Sequence, residues 1–314
     1  MPAIITITFN PALDKSVSIP LLVPEKKLKC SAPVYEPGGG GINVARAITK
    51  LGGDVTAVYL AGGNTGQKIC SQLHGEGVRS VVIETHGSTR ENLVVADAGT
   101  GRQYLFDMAG EKVDEAELEK LLHVVAAMDD VQYIVASGSL PPGVPTDIFA
   151  RIAALAKPKN AKLIADTSGD ALRQAVNAGV YLIKPNLREL GLLIGNEDLK
   201  TEMVADAARQ IINTGNCEVV VASLGDEGAM LVTGDFIHHV LPPPANILST
   251  VGAGDSLVAG IVLSLQSGRS LPASVQYGVA CGTAATLNPG TQLCSRKDAD
   301  HLYKMIKAAS LAKA

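Results

Sequence analysis

The sequence predicts a three-layer α/β/α fold with a mostly parallel central sheet, and three observations support this class. Short apolar runs alternate with helical segments from about residue 113 to residue 222, which is typical of a parallel sheet covered on both faces. Polar residues and glycines directly follow those runs, where open α/β sheets bind their ligands. A hairpin pattern at 92–108 departs from the alternation and predicts a small second β-sheet.

The elements follow from hydrophobic periodicity and from turn residues along the chain. Residues 12–34 and 88–108 are predicted to form the small sheet as a lid, and 1–11, 35–87 and 109–314 the main α/β domain. Predicted strands cover 3–10, 55–60, 78–84, 92–97, 103–108, 133–136, 163–166, 181–184 and 219–222. Predicted helices cover 43–51, 67–75, 113–127, 146–157, 170–178, 187–194, 202–213, 257–263, 273–286 and 297–308.

Composition excludes several classes of function. Hydrophobic residues make up 46% and charged residues 18% of the 314 positions, so the chain is globular. A net charge of −4 and only 4% aromatics argue against a nucleic-acid partner. No apolar run is long enough to span a bilayer, and the N-terminal sequence has no signal-peptide pattern. Five scattered cysteines without a C-x-x-C pair predict reduced thiols, and we expect a cytoplasmic protein.

The stretch Ser249-Thr250-Val251-Gly252-Ala253-Gly254-Asp255-Ser256 precedes an apolar helical segment. Unpaired N–H groups at a helix start, together with small residues, form an anion site. A carboxylate beside such a site is unfavourable unless Asp255 accepts a proton from a hydroxyl while Gly252, Ala253 and Gly254 stabilise charge on a phosphate. The alternative is that Asp255 only caps the helix.

A second glycine centre, Gly38-Gly39-Gly40-Gly41, runs directly into an apolar helix that starts near Asn43. This context favours a substrate-binding loop over a flexible linker. The strand-end rule places a wider set of residues on one edge of the sheet. The set comprises Asp14, Ser139, Lys184, Asn186, Ser223, Gly225 and the 249–256 stretch.

The two glycine motifs, in this order and spacing, resemble the two signatures of the PfkB (ribokinase-like) sugar kinases. The segments 137–143, 184–189 and 223–228 also match, so the resemblance covers essentially the whole chain. It implies a ribokinase-like domain with a β-sheet lid, a homodimer formed through the lid, and phosphoryl transfer from MgATP to a sugar hydroxyl. Asp255 is implied as the catalytic base, with Gly252, Ala253 and Gly254 as the anion hole.

The resemblance also implies roles for the sugar-binding residues. Asp14, Gly39, Asn43 and Ser139 are expected to hold sugar hydroxyls. Lys27, Lys29 and Arg90 are expected to bind a phosphate already on the sugar, and the alternative for these three cations is a solvated basic edge. Lys29 stands where the matching branch usually has Arg, which keeps the charge and loses the bidentate fork.

For ATP, the resemblance implies Lys184, Asn186 and Glu189 near the phosphates, with Glu189 acting on Mg²⁺ through water. Ser223, Gly225 and Gly228 are implied to line the nucleotide cleft. A K⁺ site is implied at Ser249, Val251, Asn288 and Gly290, although Gln292 and Pro289 differ from the branch pattern.

Within the family, the glycine run and the segments 24–30, 89–93 and 288–295 resemble the branch that phosphorylates fructose 6-phosphate at its C1 hydroxyl. Tagatose-6-phosphate kinases and 1-phosphofructokinases are the near alternative, and typically carry a Lys where this chain has Gly40. A catalytically silent sugar- or nucleotide-binding regulator is the alternative from another class, against which the intact 252–255 motif argues. A Rossmann dehydrogenase is disfavoured because no G-x-G-x-x-G follows the first strand.

Overall fold

The structure is a computed structural model, and it describes residues 4–311. The strands are β1 (Ile4–Thr8), β2 (Ala12–Ile19), β3 (Val34–Gly38), β4 (Thr56–Ala61), β5 (Arg79–Glu84), β6 (Arg90–Asp97), β7 (Arg102–Phe106), β8 (Tyr133–Ser137), β9 (Lys162–Asp166), β10 (Val180–Ile183), β11 (Cys217–Ser223), β12 (Ala229–Val232) and β13 (Ile237–Val240). The α-helices are α1 (Gly40–Lys50), α2 (Gly63–Gly75), α3 (Glu115–Ala127), α4 (Ile148–Ala156), α5 (Gly169–Ala178), α6 (Leu187–Ile194), α7 (Val204–Ile212), α8 (Ala253–Gln266), α9 (Leu271–Thr286) and α10 (Arg296–Leu311).

Nine of these strands form the large sheet, in the order β13-β12-β11-β10-β9-β8-β1-β4-β5. The seven strands from β11 to β5 are parallel, and β12 and β13 add an antiparallel edge. Because the seven strands point the same way, their carboxyl ends share one edge, and the loops that follow them meet there.

The predicted three layers are confirmed by the two apolar cores. One core joins one face of the large sheet to α1, α2, α8, α9 and α10. The other core joins the opposite face to α3, α4, α5, α6 and α7. Strand β1 is buried along its whole length and contributes alternate residues to each core, with Ile4 in the first and Ile5 in the second.

The small sheet has the order β3-β2-β6-β7 and supports the predicted hairpin, because β6 and β7 pair antiparallel. Its first strand begins at Ala12, directly after the end of β1. The predicted boundary between residues 34 and 35 falls inside β3, which pairs with β2 from Ser16↔Val34 to Ala12↔Gly38. The small sheet therefore includes residues 35–38, which the sequence had placed in the main domain.

Most predicted elements lie within one to three residues of those observed. Residues 12–34 were predicted to belong to the small sheet, but β2 ends at Ile19 and residues 20–33 form no strand. The antiparallel strands β12 and β13 were not predicted, because each has only 4 residues and so shows little periodicity. Among the helices of residues 4–311, none has the length and apolar character that a membrane span requires.

Candidate active site

The 249–254 stretch, called the anion loop below, leads into α8 at the carboxyl edge of the large sheet. Gly252 is the N-cap residue, in a left-handed conformation (φ 76°), so Gly254 and Asp255 belong to the first turn of α8. The N–H groups of a first turn have no helical carbonyl one turn earlier to bond with, and the Ala253 N–H makes only a long contact of 3.4 Å with the carbonyl oxygen of Thr250. They therefore carry the positive end of the helix dipole and can bind a phosphate oxygen.

Asp255 does not cap its own helix, which answers the capping alternative. Its Oδ2 instead accepts a hydrogen bond of 3.0 Å from Nδ2 of Asn43 on α1. Burial, together with the nearby Asp166 and Asp14 carboxylates, raises the pKa of Asp255 to about 7, although Asn43 and Lys184 oppose the rise. A carboxylate with a pKa near 7 can both release and accept a proton at physiological pH, which suits a general base.

Lys184 lies beside the anion loop as half of a buried ion pair. Its Nζ lies 3.1 Å from Oδ1 of Asp166, and their side chains are 9% and 14% exposed. A Cβ built on Gly254 would lie 3.5 Å from the same Nζ, so the ammonium faces the start of α8 directly. Burial lowers the pKa of Lys184, but the attraction of Asp166, Glu189 and Asp255 more than offsets it, and the pKa is raised.

Asp14 brings the small sheet into the site. It is 7% exposed on β2, and its Oδ1 accepts a hydrogen bond of 2.9 Å from Asn92 on β6. A Cβ on Gly38 of β3 would overlap Oδ2 of Asp14, so the glycine makes room for the carboxylate. Burial raises the pKa of Asp14, and the Asn92 hydrogen bond and the Arg90 charge oppose this.

The three predicted phosphate-binding cations differ in their surroundings. The side chain of Arg90 is 8% exposed at the start of β6, and it donates to Asp107, to the carbonyl oxygen of Met108 and, at 3.2 Å, to that of Asn10. Its Nε is buried without a hydrogen-bond partner among the described residues. Lys27 and Lys29 lie exposed in the segment between β2 and β3.

The glycine run turns the chain from β3 into α1. Gly39 (φ 109°) lies close to Thr8, at the end of β1, and to Pro11. Asn43 follows in the first turn of the helix, where its N–H donates to the Gly39 carbonyl oxygen. A Cβ on Gly40 would overlap Ser137 Oγ and lie 2.7 Å from the backbone nitrogen of Gly138. On the neighbouring loop, Ser139 Oγ accepts a hydrogen bond of 3.0 Å from Asn10 Nδ2.

The residues expected to bind ATP follow β10 and β11. Asn186 caps α6 by accepting from the Glu189 N–H at 2.8 Å, and the Asn186 N–H donates back to Glu189 Oε2 at 2.9 Å. This capping box orients the Glu189 carboxylate and employs only one of its oxygens, so the other can accept from a water of hydrated Mg²⁺. Ser223 bridges to Asn186, and Gly225 and Gly228 have positive φ in the turn before β12.

The residues expected to hold K⁺ lie on two adjacent segments. Ser249 Oγ donates to the carbonyl oxygen of Gly290 at 2.7 Å and accepts from the Val251 N–H at 3.2 Å. Asn288 Nδ2 donates to the carbonyl oxygens of Ala284 and Leu293, which fixes the 288–291 segment, called the cation loop below. The atoms these residues offer are neutral carbonyl, amide and hydroxyl oxygens, and this donor set fits a hard monovalent cation.

Several residues of the site were missed from sequence. Asp166 ends β9 and was identifiable by the same strand-end rule that selected Lys184. Asn92 and Gln103 face the site from the small sheet, and their positions depend on strand register. Glu36 Oε2 accepts from Thr291 Oγ1 at 2.6 Å, a contact across 255 residues that no local pattern indicates.

Comparison with known proteins identifies the family of this constellation. A model described as "pfkB family carbohydrate kinase" matches residues 4–298. The chain belongs to the pfkB family of carbohydrate kinases. The family resemblance seen in the sequence and the ribokinase-like fold are therefore confirmed.

Individual relatives are similar over nearly the whole chain. The ATP-dependent 6-phosphofructokinase isozyme 2 of Escherichia coli is 44% identical, over 96% of this chain and 98% of the relative. The isozyme 2 of Mycobacterium tuberculosis is 43% identical, over 97% of this chain and 90% of the relative. The 1-phosphofructokinase of Bacillus subtilis is 29% identical, over 91% of this chain and 93% of the relative.

Solved structures of one E. coli enzyme superimpose on nearly the whole chain. The E. coli phosphofructokinase-2 in complex with potassium superimposes with a TM-score of 0.93 at 43% identity, over 98% of this chain and 100% of that one. The complex of the same enzyme with substrates and products also gives 0.93 at 43% identity, over 97% and 99% of the two chains. Its tetrameric inhibited form gives 0.92 at 42% identity, over 98% and 100%.

Proposed function

We propose that this chain is an ATP-dependent 6-phosphofructokinase, which transfers the terminal phosphoryl group of ATP to the C1 hydroxyl of fructose 6-phosphate. The products are ADP and fructose 1,6-bisphosphate, in a step of glycolysis. The observation that carries the proposal is the position of Asp255, a carboxylate with a pKa of about 7 at the first turn of the helix that follows the anion loop. The relatives of 43–44% identity bear this enzyme name.

The chemistry follows from that position. The ionised Asp255 takes the proton of the C1 hydroxyl, and the resulting oxygen forms a bond to the γ-phosphorus. The bond from that phosphorus to the bridging oxygen breaks, and ADP leaves with the electron pair. The N–H groups of Gly252, Ala253 and Gly254 stabilise the negative charge on the transferred group, and Lys184 does so from the side.

The small sheet and the loops at the carboxyl edge of the large sheet together supply the sugar contacts. Asp14, Gly39, Asn43 and Ser139 orient the sugar through its hydroxyls. The 6-phosphate binds the guanidinium of Arg90, which exchanges its present bond to exposed Asp107 for the more highly charged phosphate. Lys27 and Lys29 complete the phosphate site when the segment that carries them closes over the sugar.

On the nucleotide side, Asn186 and Glu189 hold the phosphates together with Lys184, and Ser223, Gly225 and Gly228 line the cleft. Glu189 would hold Mg²⁺ through water, and the oxygens of Ser249, Val251, Asn288 and Gly290 would hold K⁺. Bound Mg²⁺ neutralises charge on the β- and γ-phosphates, which lowers the cost of bringing ATP to two carboxylates. An E. coli relative has been crystallised with potassium.

Gly40 favours this substrate over the 1-phosphofructokinase alternative. That branch typically carries a Lys in the glycine run. In this chain a side chain at residue 40 would overlap Ser137 Oγ and would come too close to the backbone nitrogen of Gly138. A backbone atom cannot move away as a flexible side chain can. The loop is therefore built for glycine, and the sugar phosphate must be recognised elsewhere, by the cations of the small sheet.

We further propose that the small sheet is a lid and that two lids pair in a homodimer in the cytoplasm. Exposed apolar side chains lie on both edge strands of the small sheet and just beyond one of them, at Val34, Leu105, Phe106 and Met108. Burial of such side chains against a second copy would remove them from water. All five cysteines are free thiols, consistent with a reducing compartment. Domain limits of 12–38 and 88–108 for the lid fit the observed strands better than a limit at 34.

A coupled assay of ADP release tests the proposed function. Purified protein receives MgATP with fructose 6-phosphate, tagatose 6-phosphate, fructose 1-phosphate or an unphosphorylated sugar, each with and without K⁺. We expect the highest kcat/KM with fructose 6-phosphate. A preference for an unphosphorylated sugar would assign Lys27 and Lys29 to a solvated edge and buried Arg90 to its bonds with Asp107, Met108 and Asn10. No turnover with any sugar would favour the silent regulator. Asp255→Asn, prepared in parallel, controls for contaminating kinases.

A further inference from the structure

A glutamine of the small sheet reaches the anion loop. Gln103 lies on β7, and its side-chain amide is 3.0 Å from Oγ of Ser249, with Oε1 as the near atom. Ser249 is 4% exposed, and it also contacts Gly290 and Val251. The two residues are 146 positions apart in sequence, so this contact joins the small sheet to the catalytic loop of the main domain.

The single proton of the Ser249 hydroxyl determines which end of the Gln103 amide faces it. Ser249 has one proton, and the carbonyl oxygen of Gly290, at 2.7 Å, can only accept it. The Val251 N–H already donates to the same Oγ. All three contacts are satisfied when the Gln103 amide is turned by 180°, so that its NH₂ group donates to Ser249 in place of the oxygen. Gln103 is then the donor that leaves the Ser249 proton to Gly290.

A second contact joins the same two parts. Glu36 on β3 accepts from Oγ1 of Thr291, the last residue of the cation loop, at 2.6 Å, and its other oxygen lies 3.6 Å from the buried Arg46. Ser16 on β2 lies under Gly290, where a built Cβ would come within 3.6 Å of the Ser16 hydroxyl, and this hydroxyl has no partner among the described residues.

These contacts share a face with the sugar-binding carboxylate. Residues that oppose one another across strands lie on the same face, and so do residues two apart on one strand. Asp14 opposes Glu36 and lies two residues from Ser16. Gln103 opposes Ala96, which opposes Ser18, again on the face of Asp14. One face of the small sheet thus carries both the sugar contact and the contacts to the anion and cation loops.

We propose that Gln103 is a positioning residue that ties the anion loop to the small sheet, so that sugar binding at Asp14 orders the loop that stabilises the phosphoryl group. The inference rests on the proposed function, because fructose 6-phosphate is the ligand that brings the small sheet onto the site. Gln103 itself touches neither substrate. It acts through Ser249, whose Oγ holds the Val251 N–H one residue before Gly252.

Hydrogen–deuterium exchange of the 249–254 amides tests the tie in the full chain, with and without fructose 6-phosphate and without ATP. The variants are Gln103→Met, which keeps the size and removes both hydrogen-bonding groups, and Gln103→Glu, which accepts but cannot donate. Arg102→Gln is the matched control, since Arg102 is the exposed neighbour on the opposite face of β7. Kinetic constants are measured on the same preparations.

We expect the Val251 amide to exchange about 10-fold faster in both Gln103 variants and to lose its sugar-dependent slowing. We also expect kcat to fall about 10-fold with little change in the KM for the sugar, because the loop acts on the transition state. Arg102→Gln should match the unaltered protein.

Unchanged exchange and kcat in Gln103→Met would overturn the tie, and normal behaviour of Gln103→Glu alone would overturn the donor role. Amide exchange measured without sugar tests the tie even if the protein does not phosphorylate fructose 6-phosphate. Failure of the Gln103 proposal can therefore be distinguished from failure of the proposed function.

Discussion

Asn43 and Asp255 join the two glycine-led helices through one hydrogen bond of 3.0 Å, from Nδ2 to Oδ2. Asn43 begins the apolar part of α1, and Asp255 lies in the first turn of α8. The bond fixes the carboxylate and favours its charged form. It therefore controls both the direction in which Asp255 can take a proton and the pH at which it can do so.

Replacing that carboxylate tests its role directly. Asp255→Asn keeps the shape and removes the base, so kcat should fall by a factor of about 10³ while fructose 6-phosphate still binds. Isothermal titration with the sugar alone measures the second part. Asn92→Leu is a useful comparison, because it disturbs Asp14 and should weaken sugar binding with a smaller loss of kcat. Unaltered turnover in Asp255→Asn would remove this residue from the mechanism.

The pH dependence of turnover should report the same group. Because Asp255 must be ionised to accept a proton, kcat should fall as the pH drops through about 7. In Asn43→Ala the carboxylate loses a hydrogen bond that favours the charged form, so its pKa rises and the fall should begin at a higher pH. Stopped assays from pH 5.5 to 9 measure both profiles. If the acidic limb of the kcat profile has the same midpoint in Asn43→Ala as in the unaltered protein, another group controls the rate.

Stability should show the cost of ionising Asp255 in the folded protein. Its folded pKa of about 7 exceeds the ordinary value of 3.8, so between these values the folded protein holds a proton that the unfolded chain has released. Stability is then lost as the pH rises through this window, and the full cost is present above 7. Asp255→Asn removes the cost, so its Tm should exceed that of the unaltered protein at pH 8, with a difference that shrinks toward pH 4.5. Calorimetry without ligands measures it.

The space beside Asp14 can be tested with a single methyl group. In Gly38→Ala the new Cβ would overlap Oδ2 of Asp14, a side-chain atom that can move, so we expect the fold to persist and the sugar KM to rise about 10-fold. Gly75→Ala is the matched control, since a Cβ there meets nothing within 4 Å. It should leave kinetics unchanged, and an equal KM effect in both variants would show that glycine loss alone is responsible.

The sequence predicted the site residues that belong to a local sequence motif or directly follow a predicted strand. Asp255 and Asn43 follow glycine runs, and Lys184 follows a strand, so each carries its own signal. Gln103 and Glu36 carry none, because their roles come from the register of the small sheet and from contacts 146 and 255 residues apart. The edge strands β12 and β13 were not predicted for a related reason: they are short, and they pair antiparallel beside a parallel sheet.

The ion pair of Lys184 and Asp166 has two separable contributions, to folding and to ATP use. Lys184→Met leaves the Asp166 carboxylate 14% exposed and without its partner, so unfolding should become easier by about 3 kcal/mol. The double variant Asp166→Asn, Lys184→Met lacks both charges, so it should regain much of the lost stability. It should not regain activity, because the ammonium beside Gly254 is still missing. Urea unfolding and the KM for ATP, measured on the two single variants and the double variant, complete the cycle. Recovery of turnover in the double variant would show that Lys184 serves only the fold.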